Sequence, residues 1–219
     1  MPTARCVLTA STTQSAIVAI GGTTGVRGHE FTMCTVEVYR NETSQWHTAD
    51  PLPAPSTKMS LVTIADTCYL LGGFDAGDNL VATVLYASLT SLVQKATSPT
   101  CQSASRTSVW KTLPDTALKM STAASLSGKL LAVGGWEGKT STAIRKLATL
   151  VAVALPMSSA VYAFFPFTNS WVRLVDGDLP EPCTLCTAVQ LSSNTMIVIG
   201  GVNSQDKHTK TVFIGSITV

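Results

Sequence analysis

The sequence predicts an all-β repeat protein, and three observations carry that expectation. First, the 219-residue chain is poor in charge, with 13% Asp, Glu, Lys and Arg, where a typical globular domain holds roughly 25%. Second, β-forming residues fill the gap: 22 Ser and 31 Thr make 53 in all, beside abundant Val. Threonine and valine favour strands because a branched Cβ packs well on a pleated surface. Third, four Gly-Gly pairs each close an apolar, strand-like run: AIVAIGG, CYLLGG, KLLAVGG and MIVIGG. These are Gly21-Gly22, Gly72-Gly73, Gly134-Gly135 and Gly200-Gly201. Glycine adopts positive φ without strain and so stops a strand there.

Other landmarks keep phase with the glycines. Pro2, Pro53, Pro114 and Pro180 precede the pairs by 19, 19, 20 and 20 positions. Between each proline and its glycines lies another strand-like run: CVLTA, MSLVTIA, MSTAASL and CTAVQL. After each pair comes a strand that opens on a valine: Val36, Val84, Val161 and Val212. Trp46, Trp110 and Trp171 follow in three units, each leading into a Leu-Pro. One unit therefore reads strand, strand, Gly-Gly, loop, strand, turn, Trp strand, Leu-Pro. The glycine spacings of 51, 62 and 66 exceed a common period because of two insertions. One, at 91–105, lengthens the turn between the third and fourth strands of the second unit; its Ser/Thr-rich composition predicts a flexible loop. The other, at 142–157, lengthens the loop after Gly134-Gly135. There Ile144, Leu147, Leu150, Val151 and Ala154 recur at helical spacing, which leaves a short helix or a short strand open.

Four strands in roughly 50 residues is the period of kelch repeats, and the sequence resembles the kelch repeat family of β-propellers. The four glycine pairs, Tyr39, Tyr86, Tyr162, and the three tryptophans with their Leu-Pro carry the resemblance over nearly the whole chain. It departs from the family in two places. The family's Arg after the Leu-Pro turn is matched only by Arg5, with Lys58 and Lys119 nearby, and the fourth unit has no Trp. A β-sandwich has equal strand content but would not repeat its landmarks at one period. The resemblance implies a single propeller domain over 1–219, with blades at 5–53, 54–114, 115–180 and 181–219. Each blade is a twisted antiparallel sheet whose apolar faces are buried by stacking on its neighbours. The glycine pairs are expected near the axis and the tryptophans between blades. About three and a half to four blades are accounted for, so the propeller is expected to be incomplete, open or poorly closed, and cut from a longer protein.

Motifs that would carry chemistry are sparse. No catalytic, metal or cofactor site is expected. His29, His47 and His208 lack metal-ligand spacing. Asp75 with Asp78, and Asp176 with Asp178, read as turn residues; Glu30 and Glu37 are the remaining close carboxylates. No GxSxG or P-loop is present. Cys183 and Cys186 form a CxxC, but residues three apart on a strand point to opposite faces. Without a second pair they read as carrying neither zinc nor redox chemistry. The six cysteines read as free thiols. Asn41-Glu42-Thr43 is a glycosylation sequon that reads as an ordinary turn.

A net charge of +2 without a basic run argues against a nucleic-acid surface. The longest apolar run, Leu147–Met157, has eleven residues, against about 20 needed to span a bilayer. The first residues lack a signal-peptide core. These features predict a cytoplasmic, non-enzymatic protein-interaction module, a scaffold or adaptor. Its expected binding residues lie in the loops after the glycine pairs: Arg27, His29 and Glu30; Asp75 and Asp78; Trp136, Glu137 and Lys139; Asp206, Lys207, His208 and Lys210. The resemblance adds ubiquitin-ligase substrates or cytoskeletal proteins as partner classes. The alternatives are a propeller-type enzyme, or a non-functional fragment of a larger kelch protein. Because an indole buries a large area, Trp171→Ala is expected to cost about 3–5 kcal/mol; an unchanged melting temperature would contradict the repeat.

Overall fold

The apolar runs form strands where their branched and aliphatic residues alternate. The computed structural model describes residues 1–26, 29–96, 108–137 and 157–216. In the first sheet, β1 (Thr9–Thr12) and β2 (Ala16–Ile20) are followed by a side hairpin of β3 (Thr23–Val26) and β4 (His29–Thr32). Then come β5 (Val36–Arg40) and β6 (Gln45–Thr48), and the order is β1-β2-β5-β6. The second sheet has β7 (Ser60–Ile64), β8 (Thr67–Leu71) and β9 (Val84–Ser88), then helix α1 (Leu89–Lys95) and β10 (Lys111–Leu113), with the strands in sequence order. In the third, the short β11 (Leu118–Lys119) precedes β12 (Thr122–Leu126), β13 (Lys129–Glu137), β14 (Met157–Phe165) and β15 (Ser170–Arg173). Strands β12 to β15 pair in order, and β11 pairs with the far half of β13.

The last segment holds β16 (Cys183–Thr184), β17 (Thr187–Gln190), β18 (Thr195–Ile199), β19 (Val202–Asn203) and β20 (Val212–Ser216). Strands β17, β18 and β20 form the fourth sheet, and β16 pairs with β19. Among the described residues no strand pairs with the outer edge of β20. All pairings are antiparallel. The chain is thus all-β apart from α1 and one 3-10 turn at Val175–Gly177, among the described residues. No helix among them is long and apolar enough to cross a membrane.

The first strands β1, β7, β12 and β17 neighbour one another in series, so each sheet packs on the next. Three apolar seams result. Val18, Ile20, Val36 and Val38 of the first sheet meet Cys68, Leu70, Leu85 and Ala87 of the second. Leu71 and Val84 meet Ala123, Ala132 and Phe164. Leu131, Val133, Val161 and Ala163 meet Met196 and Val198. Hydroxyls cross the same seams: Ser11 Oγ lies 2.7 Å from Thr63 Oγ1, and Ser60 Oγ accepts from the Ala123 amide at 2.8 Å. Trp110 and Trp171 each tie their sheet to the preceding unit, donating Nε1–H to the Asp50 carbonyl (3.1 Å) and the Pro114 carbonyl (2.8 Å). Trp46, in the first sheet, packs instead on Tyr39 of its own sheet, with ring centroids 5.4 Å apart.

The glycine pairs lie where neighbouring backbones meet. All four have positive φ at both residues; in Gly134-Gly135 the values are 59° and 106°. A Cβ on Gly21 would stand 2.5 Å from the Ser56 carbonyl oxygen, and one on Gly134 2.4 Å from that of Cys183, both in the following unit. The second glycine faces its own unit: a Cβ on Gly22, Gly73, Gly135 or Gly201 would stand 2.4–2.7 Å from the carbonyl of Cys6, Thr57, Lys119 or Thr184. Those carbonyls precede four equivalent corners, Val7, Lys58, Met120 and Leu185, with φ of 50°, 54°, 52° and 55°. Non-glycine residues rarely take this conformation; its recurrence in every unit makes it a constructional element of the repeat.

Three expectations are corrected. The third glycine pair does not end its strand: β13 runs through it to Glu137, with a register shift between Val133 and Gly135 that absorbs the kink. The start of the 91–105 insertion is helical rather than a flexible loop. Ser88 Oγ accepts from the Ser91 amide, Asp66 accepts from Thr90, Leu89 and Leu92 are buried, and Arg40 donates to the carbonyls of Val93 and Ala96. Residues 97–105 of that insertion, and 142–156 of the other, lie outside the described residues. The loop after Gly22 contains the β3–β4 hairpin, which the spacing did not foretell.

Gly134 and Gly200 form a matched pair for testing the role of the neighbour. Their φ values are 59° and 65°, but a Cβ on Gly200 would stand 3.5 Å from Thr209 O, an ordinary contact. Gly200→Ala is expected to carry only the left-handed penalty, roughly 1–2 kcal/mol. Gly134→Ala also displaces a backbone carbonyl and is expected to cost at least about 2 kcal/mol more, read from denaturation midpoints. Equal losses would contradict backbone contact between units as the reason for the glycines.

Candidate interaction face

The loops after the glycine pairs stand at one end of the sheets, because the glycines that launch them adjoin the next unit. Gly21 abuts Ser56, Gly72 lies beside Met120 and Gly134 abuts Cys183. Each loop begins by pairing back to its own corner, through the bridges Cys6–Thr23 and Thr57–Phe74 and the short ladders β11–β13 and β16–β19. Four loops are thereby anchored alike on packed sheets.

The second and fourth loops share one turn. Asp75 Oδ1 accepts from the amides of Gly77 and Asn79, both at 2.8 Å, and Asn203 Oδ1 accepts from those of Gln205 (3.0 Å) and Lys207 (3.1 Å). Asp78 and Asp206 occupy the same left-handed position, with φ of 62° and 58°. The expectation that Asp75 and Asp78 build a turn is met in this geometry. Asp75 therefore serves its own loop, and the hydrogen bonds from Asn79, with lesser ones from the backbone, hold its carboxyl below the ordinary carboxylate range.

The other candidates divide by environment. Glu30, Asp78, Asp206, Lys207, His208 and Lys210 are exposed. Trp136 and Glu137 are half-buried: Trp136 pairs with Lys119 and Met157, and Glu137 accepts from Ser158 Oγ at 2.7 Å. His29 lies in β4, paired with Val26. Arg27 and Lys139 lie outside the described residues. Among the described residues no group of three or more His, Cys, Asp or Glu is arranged to hold a metal ion.

Sequence reasoning missed an ion pair and an apolar face. Arg5 Nη2 lies 3.0 Å from Glu37 Oε2, and Arg5 also donates to the carbonyls of Thr35 and Ala19. Both side chains are buried, and burial lowers the Arg5 pKa while Glu37 opposes that shift. The Arg5 landmark is visible in the sequence, but its acid lies 32 residues away and no local pattern links the two. The apolar face lies on the fourth sheet. Ile20–Val36, Leu71–Val84 and Val133–Val161 are matching cross-strand pairs, every member 0% exposed; their counterparts Ile199 and Val212 are 47% and 52% exposed. Unlike its counterparts, this last face has no further sheet upon it among the described residues.

No family model matches the chain, and no curated protein matches it. Among solved structures, it is similar to one described as the structure of YjhT, with a TM-score of 0.70 and 13% identity, over 99% of this chain and 68% of that one. At that identity the likeness shows a shared fold.

The turn at Asp75 makes an acid-sensitive contribution. A folded-state pKa below the unfolded value gives stability that is complete above the unfolded carboxylate pKa, near 3.9, and is lost as pH falls through the folded value. Asp75→Asn, which copies the turn at Asn203, is expected to keep the turn and remove that acid dependence. Asp75→Ala is expected to cost about 1 kcal/mol and speed amide exchange at Gly77 and Asn79. Unchanged exchange in the alanine variant would contradict the assignment.

Proposed function

We propose that the chain is a kelch-type β-propeller of about three and a half to four blades that serves as a protein-interaction scaffold. Support for the propeller comes from four consecutive sheets with equivalent glycine pairs, equivalent left-handed corners and three equivalent seams. One observation carries the function: four similarly anchored loops stand at one end of a rigid stack, and ionisable side chains project from three of them. Binding residues concentrate on loops held by rigid scaffolds. Here that charge belongs to a chain otherwise poor in it.

The partner on this reading is a charged peptide segment of another protein. It docks across Glu30, Asp78, Asp206, Lys207, His208 and Lys210; Arg27 and Lys139, expected in the same role, lie outside the described residues. Asp75, Trp136 and Glu137 shape the loops beneath it. The family resemblance favours a ubiquitin-ligase substrate or a cytoskeletal protein, in the cytoplasm. The test is crosslinking and recovery of partners with the wild-type chain and with Lys207→Glu/Lys210→Glu. Recovery of at least one crosslinked partner is expected to fall several-fold while the melting temperature holds. Equal recovery of every partner would remove this face from the proposal.

A further inference from the structure

The Cys183–Cys186 pair is arranged quite differently from what a strand would impose. Leu185, between them, is a left-handed corner with φ 55°, so the chain turns and both side chains enter one seam. Both belong to the core cluster between the third and fourth sheets, Cys183 1% and Cys186 8% exposed. Both thiols are free. The expectation that they point to opposite faces is therefore corrected, and with it the reason for setting redox chemistry aside.

The surroundings hold the pair from both sides. Across the seam, Thr122 Oγ1 donates to the Cys186 carbonyl at 2.7 Å and lies 3.4 Å from Cys186 Sγ. On Gly134 a Cβ would stand 3.4 Å from Cys183 Sγ, and on Gly201 3.1 Å from the Cys186 Cβ. Packing does not demand two sulfurs here. The same corner in the other units places Arg5 with Leu8, Ser56 with Met59, and Leu118 with Ser121. Leu185, between them, is 58% exposed.

We propose that Cys183 and Cys186 are a redox-active dithiol that closes to an intrachain disulfide on reaction with hydrogen peroxide. Cys186, the less buried, reacts first. Its sulfur attacks one peroxide oxygen, the O–O bond breaks, and the products are Cys186 sulfenic acid and one water. The Cys183 sulfur then attacks the Cys186 sulfur; the S–S bond forms, the S–OH bond breaks, and the hydroxyl leaves with the Cys183 proton as a second water. Two electrons pass from the thiols to the peroxide. The neighbouring Cys183 thiol holds the Cys186 pKa below the ordinary cysteine value and is itself pushed up; the thiolate is the form that attacks. Cys68 is the internal contrast: it is fully buried, and burial pushes its thiol up to about 11.

The test uses the full chain carrying Cys6→Ser, Cys34→Ser and Cys101→Ser, which leaves three of the six cysteines. After peroxide treatment of the folded protein, the intact mass is expected to fall by two hydrogens. Two of the three thiols are expected to be lost, and dithiothreitol to restore both. Peptide mapping is expected to place the bond between positions 183 and 186. Adding Cys183→Ser is expected to leave a Cys186 sulfenic acid that dimedone captures, and adding Cys186→Ser to abolish the reaction. Differential alkylation of the wild-type chain reads the same bond without any substitution. Survival of both thiols, or oxidation of either to sulfinic acid without a disulfide, would overturn the proposal.

Discussion

Backbone-to-backbone contact at the glycine pairs is the constraint on which the rest of the structure depends. The first glycine of a pair makes room for the next unit, and the second makes room for the corner of its own. A side chain at Gly21 or Gly134 would stand within about 2.5 Å of a carbonyl oxygen, closer than packed atoms approach. The sheets can therefore come together only if these positions are bare. Once they do, the valines and leucines on facing strands reach each other and leave water, each worth roughly 1.5–3 kcal/mol. The tryptophan bonds to the preceding unit and the hydroxyl contacts between first strands then follow from that proximity.

The same constraint explains the difference between the two ends of the stack. At the first sheet, the position held in later sheets by Leu85, Tyr162 and Phe213 is Glu37, and Arg5 neutralises it in a buried pair. At the fourth sheet the equivalent apolar pair, Ile199 and Val212, stays in contact with solvent, and a Cβ on Gly200 would meet only the Thr209 carbonyl, at an ordinary 3.5 Å. One end is closed by an ion pair with its own hydrogen bonds; the other is an unpacked copy of the inner seams. The CxxC belongs to the last seam and sits beside Gly134, at the contact that joins the third and fourth sheets.

Most of the strand framework was legible in the chain. Val36, Val84 and Val212 each begin a strand as their phase predicts, whereas Val161 lies inside the longer β14; all four stand opposite the residue before a glycine pair. The turn roles of Asp75 and Asp78 were also legible, because Asp hydrogen-bonds its own local backbone. Helix α1 was hidden, because its residues are ordinary Ser, Thr and Leu; its stability comes from Asp66 and Arg40, both remote in sequence. The Arg5–Glu37 pair was hidden for the same reason. Of the proposed binding residues, the exposed ones follow from loop position alone, whereas Trp136 and Glu137 proved to be held by strand pairing.

The sequence by itself determined the periodic parts: all-β character, four units, the strand pairs within each, and the places where glycine is required. Periodicity is a local signal, since alternation and turn chemistry act within a few residues. Only the tertiary structure decided which faces are covered, which ionisable groups are paired, and that Cys183 and Cys186 point the same way. That last fact turns on one dihedral, the positive φ of Leu185. No propensity of leucine announces it, because it is imposed by a corner packed against the glycines of its own unit and of the unit before.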